Sequence, residues 1–586
     1  MTSPSRIRVN GRLMLALCLT SIAGCAGNPE PAAEAPAMPA PSVDPLPRVQ
    51  PVDALPEPGV ERRSSTDRGH LDVTHYDLQI DLRQLADTLI DAVARLDLIP
   101  EPGARHVDLD FVGMEVDSVK LDGIEATFEQ GPDLLRVEPA GGFGEAATVE
   151  VFYGGRPMDG LFIGPDPAGD LTAFADNWPN RARWWFPAND TPSDKATAEF
   201  TVRVPDGYAV VANGRLISVE NNTWYWRTDV DIPVYTMVIG VAKFERAAIG
   251  NAACGQAPVA GDSGCVPVTI WALPGSGAYG EQRFSRAADM VDFYTEMFGR
   301  YPYEKLAHVQ SSTRFGGMEN SSAIFYAMGG WAEERMGEGV IAHETVHQWF
   351  GDSVTPSEWS HLWVSEGFAT YFAAVYFQAR DGVEGAQVAD GSAPIAAAMA
   401  RGRQAIIGSD ASNRPVVDER SDLFGLLNTN SYPKGGWILH MLRVKIGEEA
   451  FWQGIRAYYA EHENGVADTE DVRRAMEQAS GQDLEAFFEQ WAYSPGFPKL
   501  AVSSVTDGDE VVITIDQVQS EEWPTFTGVR LDLVIDWGPG GYSGYRLWLS
   551  SRSEELRVPS RGEIEEIRLD PIVILLMEEV ETETAP

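Results

Sequence analysis

A chain of 586 residues is too long for a single ordinary core and implies about two to four domains. With 44% hydrophobic and 23% charged residues it can bury a large core, and its 16 Trp, 24 Phe and 18 Tyr exclude a chain disordered along most of its length. A formal net charge of -42 repels phosphate backbones and anionic headgroups, which speaks against nucleic acid as a partner and reads as a solubilising surface.

At the start, Arg6, Arg8 and Arg12 precede an apolar run from Leu13 to Ile22, too short to span a bilayer as a helix but suited to a signal peptide. The run leads into Ala23-Gly24-Cys25, which resembles the lipobox of bacterial lipoproteins, where small residues admit a peptidase that cuts just before a lipid-bearing Cys. Residues 1–24 are expected to be a signal peptide and Cys25 the lipidated N-terminus, the membrane being reached through that anchor only. Ala26 is not the Asp that directs inner-membrane retention, so an outer-membrane anchor facing the periplasm is expected. Residues 25–70 are dense in Pro, Ala and Glu and almost without aromatics, a composition that cannot offset its ordering entropy and reads as a tether. Cys18 leaves with the signal, so Cys254 and Cys265 remain as an even pair in an oxidising compartment, and a disulfide is expected across the Gly- and Pro-rich segment between them.

Over residues 71–245, short alternating segments with turn punctuation predict an all-β domain: Tyr76 to Leu82, Thr148 to Tyr153, Ala198 to Val204, and a late strand from Tyr235 to Val241. Residues 246–496 change to helical periodicity, beginning near Ser285 to Val291 and recurring over Val340 to Phe350, Glu366 to Gln378 and Tyr432 to Lys445, which predicts a mainly α domain. Strands return at Val511 to Ile515 and Val529 to Ile535, so residues 497–586 are expected to form a smaller β-domain. Ile572 to Leu576 is apolar but far too short to span a membrane.

In the helical part, His343-Glu344-Thr345-Val346-His347 puts two imidazoles on one helical face, where they can hold one zinc ion. Glu344 sits beside that seam, placed to take a proton from an attacking water instead of binding the metal. Glu366 starts a second helical run nineteen positions beyond His347 and completes a His/His/Glu set that leaves a tetrahedral position open. His308, His361 and His440 lie near these segments without ligand spacing and read as structural.

His343 to Asp352 followed by Trp363 to Tyr371 resembles the gluzincin aminopeptidases of the aminopeptidase N family. Gly316-Gly317-Met318-Glu319-Asn320 is similar to that family's exopeptidase segment, and Tyr432-Pro433-Lys434-Gly435-Gly436 to its catalytic-tyrosine segment. Pro187 to Pro192 with Lys195 is similar to a signature of its first β-domain, so the resemblance covers most of Asp72 to Pro498. It implies a multidomain α+β fold: an N-terminal β-saddle domain, a thermolysin-like, mainly α catalytic domain and a small C-terminal β-sandwich, without the large helical C-terminal domain of longer members. It also implies one Zn2+ per chain on His343, His347 and Glu366, and hydrolysis of the N-terminal bond of peptides with free amino ends. Glu344 would serve as base toward a zinc-activated water, and Tyr432 would donate to the oxyanion. Gly316, Gly317, Met318, Glu319 and Asn320 would meet the substrate, Glu319 pairing with its α-ammonium and the glycines letting the segment act as an edge strand.

Three positions depart from the family pattern: Gly317 stands where Ala is common, and Asp352 and Ser365 where Asn is. The first reads as conservative, and the others flank ligands. Members also place a second Glu or Gln in the first β-domain to help bind the amine, yet an ungapped comparison puts Trp178 there; Asp176 and Asn177 are candidate substitutes, and the contact is left unassigned. Nothing in the sequence supports epoxide hydrolysis, which one branch performs with the same zinc site. Intact His343, Glu344, His347, Glu366 and Tyr432 argue against a metal-free binding lipoprotein.

Overall fold

In the strand Asp72–Asp81 the side chains of Tyr76, Leu78 and Ile80 are buried in alternation, as a half-buried sheet requires. The strand pairs parallel with Lys195–Arg203 and antiparallel with Ile90–Ile99, at the centre of an eight-stranded sheet. The structure, a computed structural model, describes residues 71–139, 141–256, 264–381 and 394–580; Cys25, the signal segment and the tether lie outside the described residues. A four-stranded sheet, ordered Ala209–Ala212, Ile239–Ala242, Leu171–Ala175 and Leu161–Pro165, completes most of the N-terminal β-rich part. The late strand is shorter than its sequence suggests: Val234–Thr236 is a 3-10 turn and only Ile239–Ala242 is extended. Asn213 takes the backbone there, its amide donating to the Thr236 carbonyl at 2.8 Å and its oxygen accepting from Val238 N at 2.7 Å.

The middle third holds a five-stranded mixed sheet in addition to its helices, ordered Glu245–Ala252, Val266–Ala272, Leu306–Ser311, Ala323–Ala327 and Gly317–Met318. Leu306–Ser311 is buried at every position, so it lacks the alternation by which a strand is read from sequence. Gly317–Met318 is the edge strand of this sheet, paired on one side only, with Ala323–Ala327. Cys254 and Cys265 are joined by a disulfide across the turn between the first two strands.

Three helices carry the site: Glu338–His347, Trp363–Arg380 and Gly435–Ile446. The first ends at His347 instead of continuing to Phe350, because the chain reverses through Gly351 at φ 127°, where a side chain would be strained. Tyr432 lies not in an α-helix but in a π-turn, Asn430–Lys434. Pro433 has no N–H to give, and Lys434 N donates five residues back, to Thr429 O at 2.9 Å.

Beyond these helices, two facing sheets of four and three strands form the C-terminal β-region, with Val511, Ile513, Ile515, Leu531, Leu533 and Ile535 turned inward. From Lys499 onward the described residues hold strands and one short 3-10 turn. His440 Nε2 lies 3.0 Å from the Val573 carbonyl and Arg403 pairs with Asp570, fastening this region to the helices. No helix among the described residues is long and apolar enough to cross a membrane.

Candidate active site

Helical spacing brings His343 and His347 to one face of Glu338–His347, and the packing of Trp363–Arg380 against it sets Glu366 opposite them. His343 Nε2 is 3.1 Å from His347 Nε2 and 3.1 Å from Glu366 Oε2, and His347 Nε2 is 3.3 Å from Glu366 Oε2. Ligand atoms about 2.0–2.1 Å from one tetrahedral ion are about 3.3 Å apart, so this donor set fits zinc. The His347 Nδ1–H donates to the Phe350 carbonyl at 3.0 Å, with Ser365 Oγ at 3.1 Å, which turns Nε2 toward the cluster with its lone pair free.

The electrostatics also ask for a cation. Glu319, Glu344 and Glu366 are buried, and among the described residues none forms an ion pair with Lys or Arg. Burial would lower the His347 imidazole, but the Glu366 carboxylate outweighs it and pushes the ring up to about 10. For Glu366 burial acts upward and the His347 and His343 rings more than offset it, so its carboxyl is held well below the usual range. A bound divalent ion replaces the proton that His347 otherwise draws.

Glu344 is enclosed, and burial pushes its carboxyl well above the usual range, with Glu319 and Glu366 adding to the effect against the pull of His347. Its carboxylate lies against Gly317: a Cβ there would meet Glu344 Oε1. An alanine at Gly317 would require the Glu344 side chain to shift. The Tyr432 hydroxyl donates to Glu366 Oε1 at 2.8 Å, and its ring stacks on His343 with centroids 6.0 Å apart. Glu319, Glu344 and His347 offer atoms within 4.8 Å of one another, so Glu319 stands about one residue's length from the ligand cluster. Gly316, Gly317, Met318, Glu319 and Tyr432 line one cavity of about 250 Å³ with the three ligands. Asn320 is fully buried behind it.

Gln348 and Asn213, which the sequence reading did not single out, hold the Glu319 segment in place, and Lys195 of the first β-domain ties down the turn after His347. Gln348, next to His347, donates to the Glu319 carbonyl at 2.6 Å and to Asp352 Oδ2 at 2.8 Å, and accepts from Ser322 N at 2.7 Å. Asn213 of the N-terminal part donates to the Ser321 carbonyl at 2.7 Å. Lys195 reaches across to the carbonyls of Asp352, Ser353 and Gly465 at 2.9, 2.7 and 3.1 Å. A Gln following a ligand His, or an Asn before a Gly, carries no signal in one sequence; only the fold makes them partners. His308 and His361 are engaged structurally: His308 Nδ1 meets the Tyr326 hydroxyl at 3.0 Å and His361 Nδ1 the Thr469 hydroxyl at 2.9 Å.

The two candidates for a second amine contact are both engaged elsewhere. Asp176 is paired with Arg181 at 2.5 Å, and the Asn177 amide binds the Met237 carbonyl at 2.7 Å and accepts from Trp185 Nε1 at 2.8 Å. Trp178 itself lines the cavity.

Comparison with known proteins agrees with this arrangement. The Peptidase M1 N-terminal domain model matches residues 73–236 and the Peptidase family M1 domain model residues 283–491, together more than half of the chain. Probable aminopeptidase 1 of Sulfurisphaera tokodaii is 26% identical over 432 residues, covering 70% of this chain and 51% of that protein. Aminopeptidase N of Streptomyces lividans is 28% identical over 345 residues, 56% of this chain and 39% of that protein. The chain thus spans about half the length, or less, of these curated relatives. In fold it is similar to aminopeptidase A of Legionella pneumophila, with TM-score 0.72 and 18% identity over 89% of this chain and 61% of that one. It is also similar to an M1 zinc metallopeptidase of Deinococcus radiodurans, with TM-score 0.60 and 23% identity over 74% of this chain and 95% of that one. With both family models matched in order along one chain, and the ligand, exopeptidase and tyrosine segments converging on one cavity, the chain belongs to peptidase family M1, among its aminopeptidase N-like gluzincins.

Proposed function

We propose that this protein is a zinc aminopeptidase that removes single residues from the free amino ends of peptides. One observation carries the reading: a His343/His347/Glu366 cluster at zinc-ligand spacing with a further carboxylate, Glu319, one residue's length away in the same cavity. When bound, zinc supplies Lewis-acid polarisation of the scissile carbonyl and makes the attacking water more acidic. Glu344 takes the water's proton and returns it to the departing nitrogen, a role suited to a carboxyl that burial has made more basic. Tyr432 donates to the oxygen on which charge develops. Glu319 pairs with the α-ammonium while the Gly317–Met318 edge strand binds the substrate backbone. The aminopeptidase names of the relatives are consistent with this reading.

The test is kcat/KM for a free and an N-acetylated version of one peptide. The zinc-loaded wild type is expected to cleave the free form only, and Glu319→Ala to lose roughly 1.5–3 kcal/mol on it, the range for hydrogen bonds to charged groups, with zinc content unchanged. Equal cleavage of both forms by the wild type would sink the exopeptidase reading. Export and anchoring through Cys25 belong to the same proposal, supported by the Arg-flanked apolar run and the small residues before the Cys. Cys25→Ala should abolish incorporation of labelled fatty acid, and surviving label would refute the anchor.

A further inference from the structure

An N-terminal residue bound as proposed is fixed on two sides of its α-carbon, by Glu319 at the ammonium and by Tyr432 and the ligand cluster at the carbonyl. Its side chain must then face the rest of the cavity wall, which is Trp178, Phe315, Met318, Val340 and Leu427. That wall is apolar throughout. Among the described residues no Lys or Arg lines the cavity to receive an acidic side chain, and the carboxylates of Glu319, Glu344 and Glu366 repel one.

Trp178 cannot swing aside. It is 3% exposed and meets Phe315 edge-on at 6.1 Å, Trp359 at 5.5 Å and Phe424 at 5.5 Å. Asp176 is held by Arg181 and by the Thr313 hydroxyl, and Asn177 by Met237 and Trp185, so the position that would bring a second polar contact to the amine brings an aromatic surface instead. We infer that the cavity selects peptides whose N-terminal side chain is bulky and apolar, aromatic or branched aliphatic, and that Trp178 and Leu427 are its specificity-determining residues. The inference deepens the aminopeptidase reading and rests on it. A large apolar side chain loses its hydration shell against Trp178 and Leu427, whereas a small one leaves that surface uncovered and a charged one gives up its water without a partner.

The experiment is a panel of aminoacyl anilides with the zinc-loaded full chain. Phe, Leu and Met substrates should exceed Ala by about ten- to a hundredfold in kcat/KM, the range for small apolar differences in a hydrophobic pocket, with Asp and Glu lowest. Trp178→Leu and Leu427→Ala should each lower the Phe-to-Ala ratio by about tenfold and leave the preference for free over acetylated amines intact. Leu427 is only partly buried at the end of a short turn, so its truncation keeps the test open should the Trp178 variant fold poorly. Independently of turnover, L-phenylalanine should raise the melting temperature of the zinc-loaded Glu344→Gln protein more than L-aspartate does. Ala, Asp or Arg as the best substrate, or an unchanged ratio in both variants, overturns the inference while leaving the aminopeptidase reading standing. No turnover of any free-amine substrate by zinc-loaded protein overturns both.

Discussion

At the scale of single residues, the proposed ligands and the proposed base are separated by where each side chain leaves the helix. His343 and His347 point their Nε2 atoms at Glu366, while Glu344 turns toward Gly317 and stays out of the triad. Glu344→Gln should therefore keep its zinc and lose about a hundred- to ten-thousandfold in turnover, the usual worth of a general base. His347→Ala should lose the metal as well. Zinc content of the purified variants alongside kcat decides the matter, and equal metal loss in both would put Glu344 among the ligands. These assignments were legible from spacing because a helix converts a four-residue interval into one face regardless of context. The restraints on the Glu319 segment were not legible, since Gln348 reaches the Glu319 carbonyl across 29 residues of chain and Asn213 the Ser321 carbonyl across 108.

At the scale of elements, the crossing of two helices sets the distance from Tyr432 to Glu366. Trp363–Arg380 and Gly435–Ile446 touch backbone to backbone: a Cβ on Gly367 would lie 2.7 Å from Gly435 Cα, and one on Gly435 would lie 2.8 Å from Gly367 Cα. Glu366 precedes one of these glycines and Tyr432 lies just before the other, so the crossing is the hinge of that contact. Gly367→Ala should push the helices apart, destabilise the protein by about 1–3 kcal/mol as overpacking does, and lower kcat more than it raises KM. Urea unfolding with steady-state kinetics measures both, and a variant of wild-type stability and kcat would show that the crossing tolerates a methyl group. Sequence placed a helix over Tyr432 to Lys445 but not the π-turn, because Pro433 within a helical pattern signals a boundary without saying how the freed carbonyl is used.

For the whole molecule, the joint between the helical part and the C-terminal β-region contains a titrating group. His440 is fully buried with Nε2 3.0 Å from the Val573 carbonyl, and burial holds its imidazole down to about 4. An unfolded chain takes that proton near pH 6.5, so the folded state carries the full benefit above 6.5 and loses it as pH falls toward about 4. At about 1.4 kcal/mol per unit the loss amounts to roughly 3 kcal/mol. His308, held down to about 3 by burial, acts in the same direction. His440→Gln should lower stability at pH 7 but lose less between pH 7 and 4.5 than the wild type, read as the change in melting temperature. An acid-induced drop as large in the variant would remove His440 from the account.

By itself the sequence showed the His343/Glu344/His347 spacing and the order of β, helical and β regions, because each rests on local spacing or periodicity that survives in any context, whereas the role proposed for Tyr432 came from the family resemblance. Only the tertiary structure decided what encloses them. The central strand Leu306–Ser311 of the five-stranded sheet carries no alternation in the sequence because it is buried at every position. Gly317 lies against the Glu344 side chain, a contact that no local pattern signals. Trp178 was an unexplained departure until the fold set it beside Phe315 and Leu427 as the wall of a cavity, with Asp176 and Asn177 turned to other partners. Such pairings join residues from tens to more than two hundred positions apart, and one sequence carries periodicity along the chain but no record of which distant segments will meet.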